Sequence, residues 1–117
     1  MSSWAEIDAN NLVIRVLVGD NNDPAGDEGY QWLLDNLGGR WIQTSYNSKI
    51  RGTYAGKGFT YNDEEDIFIT PQPYPSWIRE GSFWNPPIAY PTDGSIYIWN
   101  EKNQTWDILE DVETQSN

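Results

Sequence analysis

The spacing of apolar residues along the chain changes from helical to strand-like near residue 41. Before that point, one segment places apolar residues at i, i+3, i+4 and i+7, which is the single apolar stripe of an amphipathic helix. The stripe consists of Tyr30, Leu33, Leu34 and Leu37. Gly38 and Gly39 follow it and predict the end of the helix. Beyond it, apolar residues recur at every second position, which is typical of strands. We therefore predict an α+β fold that is mostly antiparallel β.

The N-terminal part, residues 1–46, predicts a β-β-α-β unit. Residues 3–8 form a short strand with Ala5 and Ile7 on one face, and the Asp-Ala-Asn-Asn sequence after it is typical of a turn. Residues 12–18 alternate with apolar side chains on nearly both faces, which favours a central, covered strand. Residues 41–46 supply the third strand. The helix then crosses back over one face of the sheet.

The C-terminal part, residues 54–109, predicts a series of hairpins. Residues 59–61 and 66–69 pair across a turn at 62–65, whose carboxylates we expect to face solvent. In the last hairpin, formed by 95–99 and 105–109, Ile96 and Ile98 point one way. Tyr97 and Trp99 point the other way, with Trp106 opposite them. We predict one domain over residues 1–109, followed by a disordered acidic tail at 110–117.

Residues 59–106 hold six of the seven prolines and four of the seven tryptophans. Proline fixes φ and donates no backbone hydrogen bond, so residues 71–77 are predicted to form an extended, polyproline-like rod. Tyr74 and Trp77 are three residues apart, one polyproline turn, and should project from the same side; Trp84 and Tyr90 would complete a ring-lined ledge. The predicted partner-binding residues are Tyr74, Trp77, Trp84, Tyr90, Pro71, Pro73, Pro75, Pro86 and Pro87. The alternative is that the prolines block edge pairing and the tryptophans form a small core.

Two charged loops suggest ion binding but have simpler interpretations. The loop at 19–29 carries carboxylates that are weak calcium candidates, although their spacing does not match an EF-hand. These candidates are Asp20, Asp23, Asp27 and Glu28. We favour a turn and a helix N-terminus, where acids are stabilised by the helix dipole. Four bases near residues 40–57 are interpreted as counter-ions to acids rather than as a phosphate or nucleic-acid site. They are Arg40, Lys49, Arg51 and Lys57.

Composition excludes several functions. The formal charge of −11, from 18 acids and 7 bases, disfavours nucleic acid and anionic membranes as partners. Cysteine and histidine are absent, so there is no disulfide, no thiolate or imidazole metal site and no cysteine nucleophile. We expect no cofactor. No 18-residue apolar run occurs, and the first residues do not resemble a signal peptide, which predicts synthesis in a cytoplasm.

Catalysis by paired carboxylates is conceivable, while the absence of histidine and cysteine closes nearly every other route of activation. Four carboxylates lie near aromatic residues in the sequence: Asp66, Glu80, Asp93 and Asp107. In so acidic a chain, such proximity is expected by chance. We therefore expect a protein that is not an enzyme and assign no catalytic residue. Trp32 lies off the helical stripe and is expected to pack under a loop, the alternative being exposure to a partner.

Four sequence blocks carry a resemblance that covers nearly the whole chain. They are AEIDANNLVIRVLVGDN, GGRWIQTSYN, YAGKGFTYNDEEDIFITPQPYPSW and WNPPIAYPTDGSIYIWNEKNQTW. Their order resembles a family of small proteins and modules encoded by marine tailed bacteriophages, notably cyanophages. The resemblance implies synthesis in a host bacterium and a place in the virion, as capsid decoration or as a tail or fibre appendage. It brings no catalytic residues.

The sequence leaves three functions open. The leading expectation is a virion protein that binds another phage structural protein through the aromatic and proline residues. The second is a tail or fibre assembly chaperone that is absent from the finished particle. The third is a carbohydrate-binding module for host surface glycans. With little aliphatic core and many rings, the chain is also expected to self-associate, as a dimer or trimer, or to dock on a larger lattice.

Overall fold

The computed structural model of the chain describes residues 2–19 and 26–109, and within these ranges it contains nine strands and one helix. In chain order the elements are β1 (Ser3–Ile7), β2 (Val13–Val18), α1 (Tyr30–Leu37), β3 (Arg40–Thr44), β4 (Thr60–Asn62), β5 (Ile67–Ile69), β6 (Ile78–Glu80), β7 (Phe83–Asn85), β8 (Tyr97–Asn100) and β9 (Thr105–Ile108). The predicted α+β class, its antiparallel character and its β-β-α-β beginning are confirmed. In the part of the chain described, no helix is long and apolar enough to cross a membrane.

The chain divides into two compact units. The first comprises residues 1–71 and 81–83, and the second comprises 72–80 and 84–117. The hairpin of β4 and β5 belongs to the first unit, together with the N-terminal sheet. The predicted acidic tail at 110–117 lies outside the described residues, and the prediction of one domain over 1–109 stays a prediction.

The central strand of the first unit is β1, and the prediction that residues 12–18 form the central strand is wrong. The strand order is β2-β1-β3, with both neighbours antiparallel to β1. All five residues of β1 are buried, whereas β2 is an edge strand with one buried residue, Val13. Glu6 is buried in β1 because Arg15, directly opposite on β2, donates to its carboxylate at 2.6 Å. A buried charge is tolerated when it is paired in this way.

A β-bulge changes which side chains of β2 face the core. Glu6 pairs with Arg15 and Ile7 pairs with Val13, so Ile14 is an extra residue without a partner on β1. The side-chain alternation therefore shifts by one position at Ile14. Val13 joins Val16 on the face of Ala5 and Ile7, while Ile14 is 41% exposed. Strict alternation of side chains over residues 12–18 would place Val13 on the face opposite to Val16, which is wrong.

The two faces of the sheet carry different cores. On one face, Trp4 and Trp41 pack with Leu33 of α1, as the helical stripe predicts. On the other face, Ala5, Ile7 and Val13 pack with residues of the 55–68 segment. That contribution comes from Ala55, Tyr61 and Phe68. The helix therefore covers one side of the sheet, and the β4–β5 hairpin region covers the other.

Trp32 lies on the solvent side of α1 and is 57% exposed. The expectation that it packs under a loop is wrong, because the helix places it away from Leu33, the buried residue of the stripe. Exposure, the alternative interpretation, is what the structure shows.

The second unit is built from short hairpins. Strands β8 and β9 pair antiparallel, with Trp99 opposite Trp106 and Tyr97 opposite Ile108. Strands β6 and β7 form a separate two-stranded sheet. The predicted last hairpin and the position of Trp106 opposite Trp99 are confirmed.

Candidate functional site

Six aromatic side chains of the second unit pack together, and we call this group the ring cluster. Its members are Tyr74, Trp77, Tyr90, Tyr97, Trp99 and Trp106. The cross-strand pair Trp99 and Trp106 forms its centre, with ring centroids 5.0 Å apart. Trp77 lies 6.0 Å from Trp99 and 6.2 Å from Trp106. These contacts are edge-to-face, the arrangement that aromatic quadrupoles favour. Trp99 is 6% exposed, so the alternative of a tryptophan core is correct for this residue.

Tyr90 joins the ring cluster from the loop before β8. Its ring centroid lies 4.9 Å from Trp106 and 5.8 Å from Tyr97. Its hydroxyl oxygen accepts the backbone N–H of Tyr97 at 2.9 Å. The Tyr97 hydroxyl in turn donates to Asp93, which lowers the pKa of the Asp93 carboxyl and raises the pKa of Tyr97. The loop is thereby fixed to the start of the last hairpin.

The prediction of a polyproline rod over residues 71–77 is wrong for its second half. The carbonyl of Tyr74 accepts the backbone N–H of Trp77 at 3.1 Å, which closes a four-residue turn. Pro75 occupies the second position of this turn, where its fixed φ fits as well as it fits an extended rod. The side chain of Gln72 donates to the carbonyls of Pro75 and Trp77, at 3.3 and 3.1 Å. The rings of Tyr74 and Trp77 still lie on the same side, 5.7 Å apart, because of the turn.

Glu101 holds this turn against the last hairpin. One carboxylate oxygen accepts the Ser76 hydroxyl at 2.6 Å, and the other accepts the Ser76 backbone N–H at 3.1 Å. The indole N–H of Trp99 also donates to Glu101, at 2.8 Å. The hydrogen bonds from Ser76, and then that from Trp99, lower the pKa of the Glu101 carboxyl. Sequence reasoning missed Glu101 because no local pattern connects positions 25 residues apart.

A second loop is fixed in a similar way. The indole N–H of Trp106 donates to the carbonyl of Ile88 at 2.7 Å. The side chains around this anchor face solvent: Pro87 is exposed, Ile88 is 50% exposed and Tyr90 is 45% exposed. We call residues 72–77 and 86–90 the proline loops.

The structure brings some of the predicted binding residues together and distributes others over the surface. Trp77 and Tyr74 are half-buried in the ring cluster, and Tyr90 lies at its exposed edge. Pro86 and Trp84 are half-buried, the latter on β7. The exposed prolines are Pro71, in the first unit, and Pro73, Pro75 and Pro87, in the second. The surface that the second unit offers a partner is therefore made more of prolines, Ile88 and Tyr90 than of tryptophan rings.

The calcium hypothesis finds no support in the described part of its loop. Asp20 and Asp23 lie outside the described residues. The Asp27 carboxylate accepts the backbone N–H of Gln31 at 3.0 Å, so the helix-terminus interpretation is confirmed for Asp27. Glu28 accepts the side-chain amide of Gln43 at 2.8 Å. Over residues 2–19 and 26–109, no three potential metal-ligating side chains come together.

Two of the basic residues are counter-ions, as predicted. Arg40 donates to Asp63 at 2.7 Å and Arg51 donates to Asp66 at 2.9 Å. The expectation that the carboxylates of the β4–β5 turn only face solvent is therefore wrong for Asp63, which also accepts the side-chain amide of Asn11 at 2.6 Å. The sequence could not show this contact, because it depends on how the hairpin meets the end of β1 and β2.

The four carboxylates considered for catalysis are all held by neighbouring donors. Tyr61 and Arg51 donate to Asp66, and Asn85 donates to Glu80. Tyr97 and Ser95 donate to Asp93. Asn100 and Thr105 donate to Asp107. These bonds lower the pKa of the Asp66, Asp93 and Asp107 carboxyls. A general acid needs the opposite shift.

Comparison with known proteins gives no relative. No protein-family model, no curated protein and no solved structure matches this chain.

Proposed function

We propose that this chain is a non-enzymatic structural or accessory protein of a phage particle, which docks on another virion protein through the proline loops. The resemblance of the four sequence blocks to marine phage proteins supports a place in the virion. One structural observation supports the docking. Hydrogen bonds tie the first proline loop to Glu101 and the second to Trp106, while Pro73, Pro75, Pro87, Ile88 and Tyr90 stay exposed.

This arrangement suits binding because the loops are already ordered before a partner arrives. Ordering a loop on association costs free energy that an ordered loop does not lose. Ser76 is fixed by Glu101 and the Ile88 carbonyl is fixed by Trp106, so both loops have defined backbone positions. Proline adds rigidity and apolar surface without an unpaired N–H. Exposed tyrosine is enriched at the centres of protein interfaces.

The ring cluster favours a protein partner over a glycan. Its tryptophans pack edge-to-face on one another, and Trp99 is buried, so their flat faces are used within the unit. What remains accessible around Ile88 is proline and aliphatic surface together with the edge of Tyr90. Such a surface fits a complementary apolar patch on a protein.

Quantitative mass spectrometry of purified virions of the encoding phage tests the proposal. A structural or accessory protein is expected at a fixed copy number relative to the major capsid or tail protein, and it should resist washing in high salt. Presence in assembly intermediates with absence from mature particles would show the assembly chaperone instead. Absence from both, or specific binding to host glycans on an array with no particle association, would overturn the proposal.

A further inference from the structure

The last hairpin presents an aliphatic surface on the side opposite to the ring cluster. Side chains alternate along a strand, so Tyr97 and Trp99 point into the ring cluster while Ile96 and Ile98 point away from it. Leu109 lies two positions after Asp107, which is directly opposite Ile98, so its side chain is on the same outer side. Its backbone N–H donates to the carbonyl of Ile96 at 2.7 Å and extends the ladder. Ile96 is 64% exposed, and Ile98 and Leu109 are each 55% exposed.

One charged residue of the hairpin lies on this side. Asp107 is directly opposite Ile98 in the register of β8 and β9. The Asn100 side-chain amide donates to its carboxylate at 2.8 Å, and the Thr105 hydroxyl donates at 2.9 Å. Both bonds stabilise the ionised form, and they lower the pKa of Asp107. We call Ile96, Ile98, Asp107 and Leu109 the hairpin face. It combines three exposed aliphatic side chains with a carboxylate in a fixed position.

Charge decides among the occupants that could cover the hairpin face. The second unit, residues 72–80 and 84–117, contains seven acids and two bases, a net charge of −5. A second copy of the chain would bring like charges together, Asp107 included. Residues 110–117 carry three acids and one aliphatic residue, so they complement neither the charge nor the apolar side chains. Nucleic acid and anionic membranes are repelled by the same negative field.

We propose that the hairpin face binds an extended protein segment that presents aliphatic side chains together with lysine or arginine on one face, at every second residue. An extended segment matches a two-stranded sheet because its side chains repeat with the same period as those of β8 and β9. Its aliphatic residues cover Ile96, Ile98 and Leu109. A basic side chain at the next position on the same face pairs with Asp107. This surface is separate from the proline loops and does not depend on the virion role.

The test uses the full chain, labelled with ¹⁵N, and three blocked synthetic peptides of equal length. Counting every second residue, one peptide alternates lysine with valine, one alternates glutamate with valine and one alternates lysine with serine, and in all three the residues between are serine, so that the compared side chains share one face. We expect the lysine–valine peptide to bind about tenfold more tightly than either control, since it alone matches both the apolar and the charged groups. The chemical-shift changes should centre on residues 96–98 and 107–109.

Three variants locate the binding. Ile98→Asn should weaken binding of the lysine–valine peptide about tenfold. Asp107→Asn keeps the shape and should weaken it about threefold, with a smaller dependence on salt. Ile88→Asn, the same type of substitution in a proline loop, should leave the affinity unchanged. Ile96→Asn replaces Ile98→Asn if the latter fails to melt cooperatively.

Several results would overturn this proposal without affecting the proposed docking role of the proline loops. These are no binding of the lysine–valine peptide, equal binding of the lysine–serine peptide, or wild-type affinity in the Ile98→Asn protein. A concentration-dependent dimer that Ile98→Asn abolishes would show that a second copy covers the face. A footprint confined to residues 86–90 would assign the peptide to the other surface. Loss of virion association, in contrast, bears only on the proposed function.

Discussion

Glu101 receives two hydrogen bonds from Ser76, one from the hydroxyl at 2.6 Å and one from the backbone N–H at 3.1 Å. The two residues are 25 positions apart, and the bonds join the first proline loop to the last hairpin. The same carboxylate accepts the indole N–H of Trp99 at 2.8 Å. One side chain therefore fixes both a loop that is proposed to bind and the ring cluster beneath it.

Replacing Glu101 by glutamine should lower the melting temperature at neutral pH, since the amide supplies one carbonyl acceptor where the carboxylate supplies two charged ones. Thermal unfolding followed by near-ultraviolet circular dichroism, which reports on the packed tryptophans, measures the change. Glu64→Gln, in the exposed β4–β5 turn, is the matched control and should melt like the wild type. An equal loss in both variants would mean that net charge, not the contact with Ser76, matters.

The stabilisation by Glu101 should disappear in acid. Its folded-state pKa is lowered from the ordinary 4.5 by the hydrogen bonds from Ser76 and Trp99. Its contribution to stability is thus fully present above the unfolded-state pKa and is lost as pH falls through the folded-state value. We expect the difference in melting temperature between wild type and Glu101→Gln to be constant from pH 7 to about pH 5.5 and to shrink below about pH 4.5. A difference that stays constant down to about pH 2.5 would contradict this assignment.

Trp99 should be the tryptophan whose loss affects the second unit most. It is 6% exposed and contacts both Trp77 and Trp106. Trp99→Ala should reduce the free energy of unfolding by about 3–5 kcal/mol, the usual cost of removing a buried large ring. Trp32→Ala, at a position 57% exposed, should change it by less than about 0.5 kcal/mol. Urea unfolding followed by far-ultraviolet circular dichroism compares the two, and similar losses would show that Trp99 is not a core residue.

Gly19 is required by a close approach of the backbone. A Cβ atom at this position would lie 2.1 Å from the carbonyl oxygen of Glu28 and 2.9 Å from Nε1 of Trp4. It would therefore separate the indole of Trp4 from that carbonyl, which accepts its N–H at 3.1 Å. We expect Gly19→Ala to cost about 1–3 kcal/mol of folding free energy, as overpacking does. In Gly56→Ala the three atoms nearest to the new Cβ all belong to the ring of Phe59, the closest at 3.2 Å, so this control should lose clearly less stability in the same urea experiment.

Helix α1 could be predicted from the sequence because its signals are local. The stripe that contains Leu33 and the glycines after Leu37 lie within ten residues of one another and need no tertiary contact to be recognised. The last hairpin is equally local, and its Trp99–Trp106 pair follows from alternation alone. In both elements the spacing of the apolar side chains along the sequence matches the periodicity of the backbone, helical in one and strand-like in the other.

The central strand could not be predicted, because its burial depends on distant residues. Glu6 makes β1 look solvent-exposed, yet Arg15 neutralises it across the strand pair. The bulge at Ile14 then moves Val13 to the core face, which no strict alternation predicts. For the candidate site, the proline-rich sequence indicated where the ring cluster and the proline loops lie, but it predicted the wrong backbone conformation for residues 74–77. The φ angle of proline fits a turn and a rod equally, and the Tyr74–Trp77 hydrogen bond decides between them.

Incorporation into particles separates surface effects from folding effects at the proline loops. Trp77→Ala and Trp84→Ala are both expected to abolish incorporation, but Trp77 is half-buried in the ring cluster, so its loss also weakens the fold. Ile88→Asp is the sharper variant, because the side chain is 50% exposed and the carbonyl that accepts the Trp106 N–H is kept. A charge in the centre of an apolar contact costs about 2 kcal/mol or more at a true hot spot, a reduction of about thirtyfold in affinity.

The control for this experiment is Asn103→Asp, which adds the same charge in the turn of the last hairpin, outside the proline loops. Both proteins are first shown to melt as the wild type does, and each is then supplied during phage growth in place of the native protein. We expect Asn103→Asp in particles at the normal copy number and Ile88→Asp at a small fraction of it. If folded Ile88→Asp is incorporated as well as the control, the proline loops do not make the contact. The hairpin face, which neither substitution alters, then becomes the surface to test in the particle.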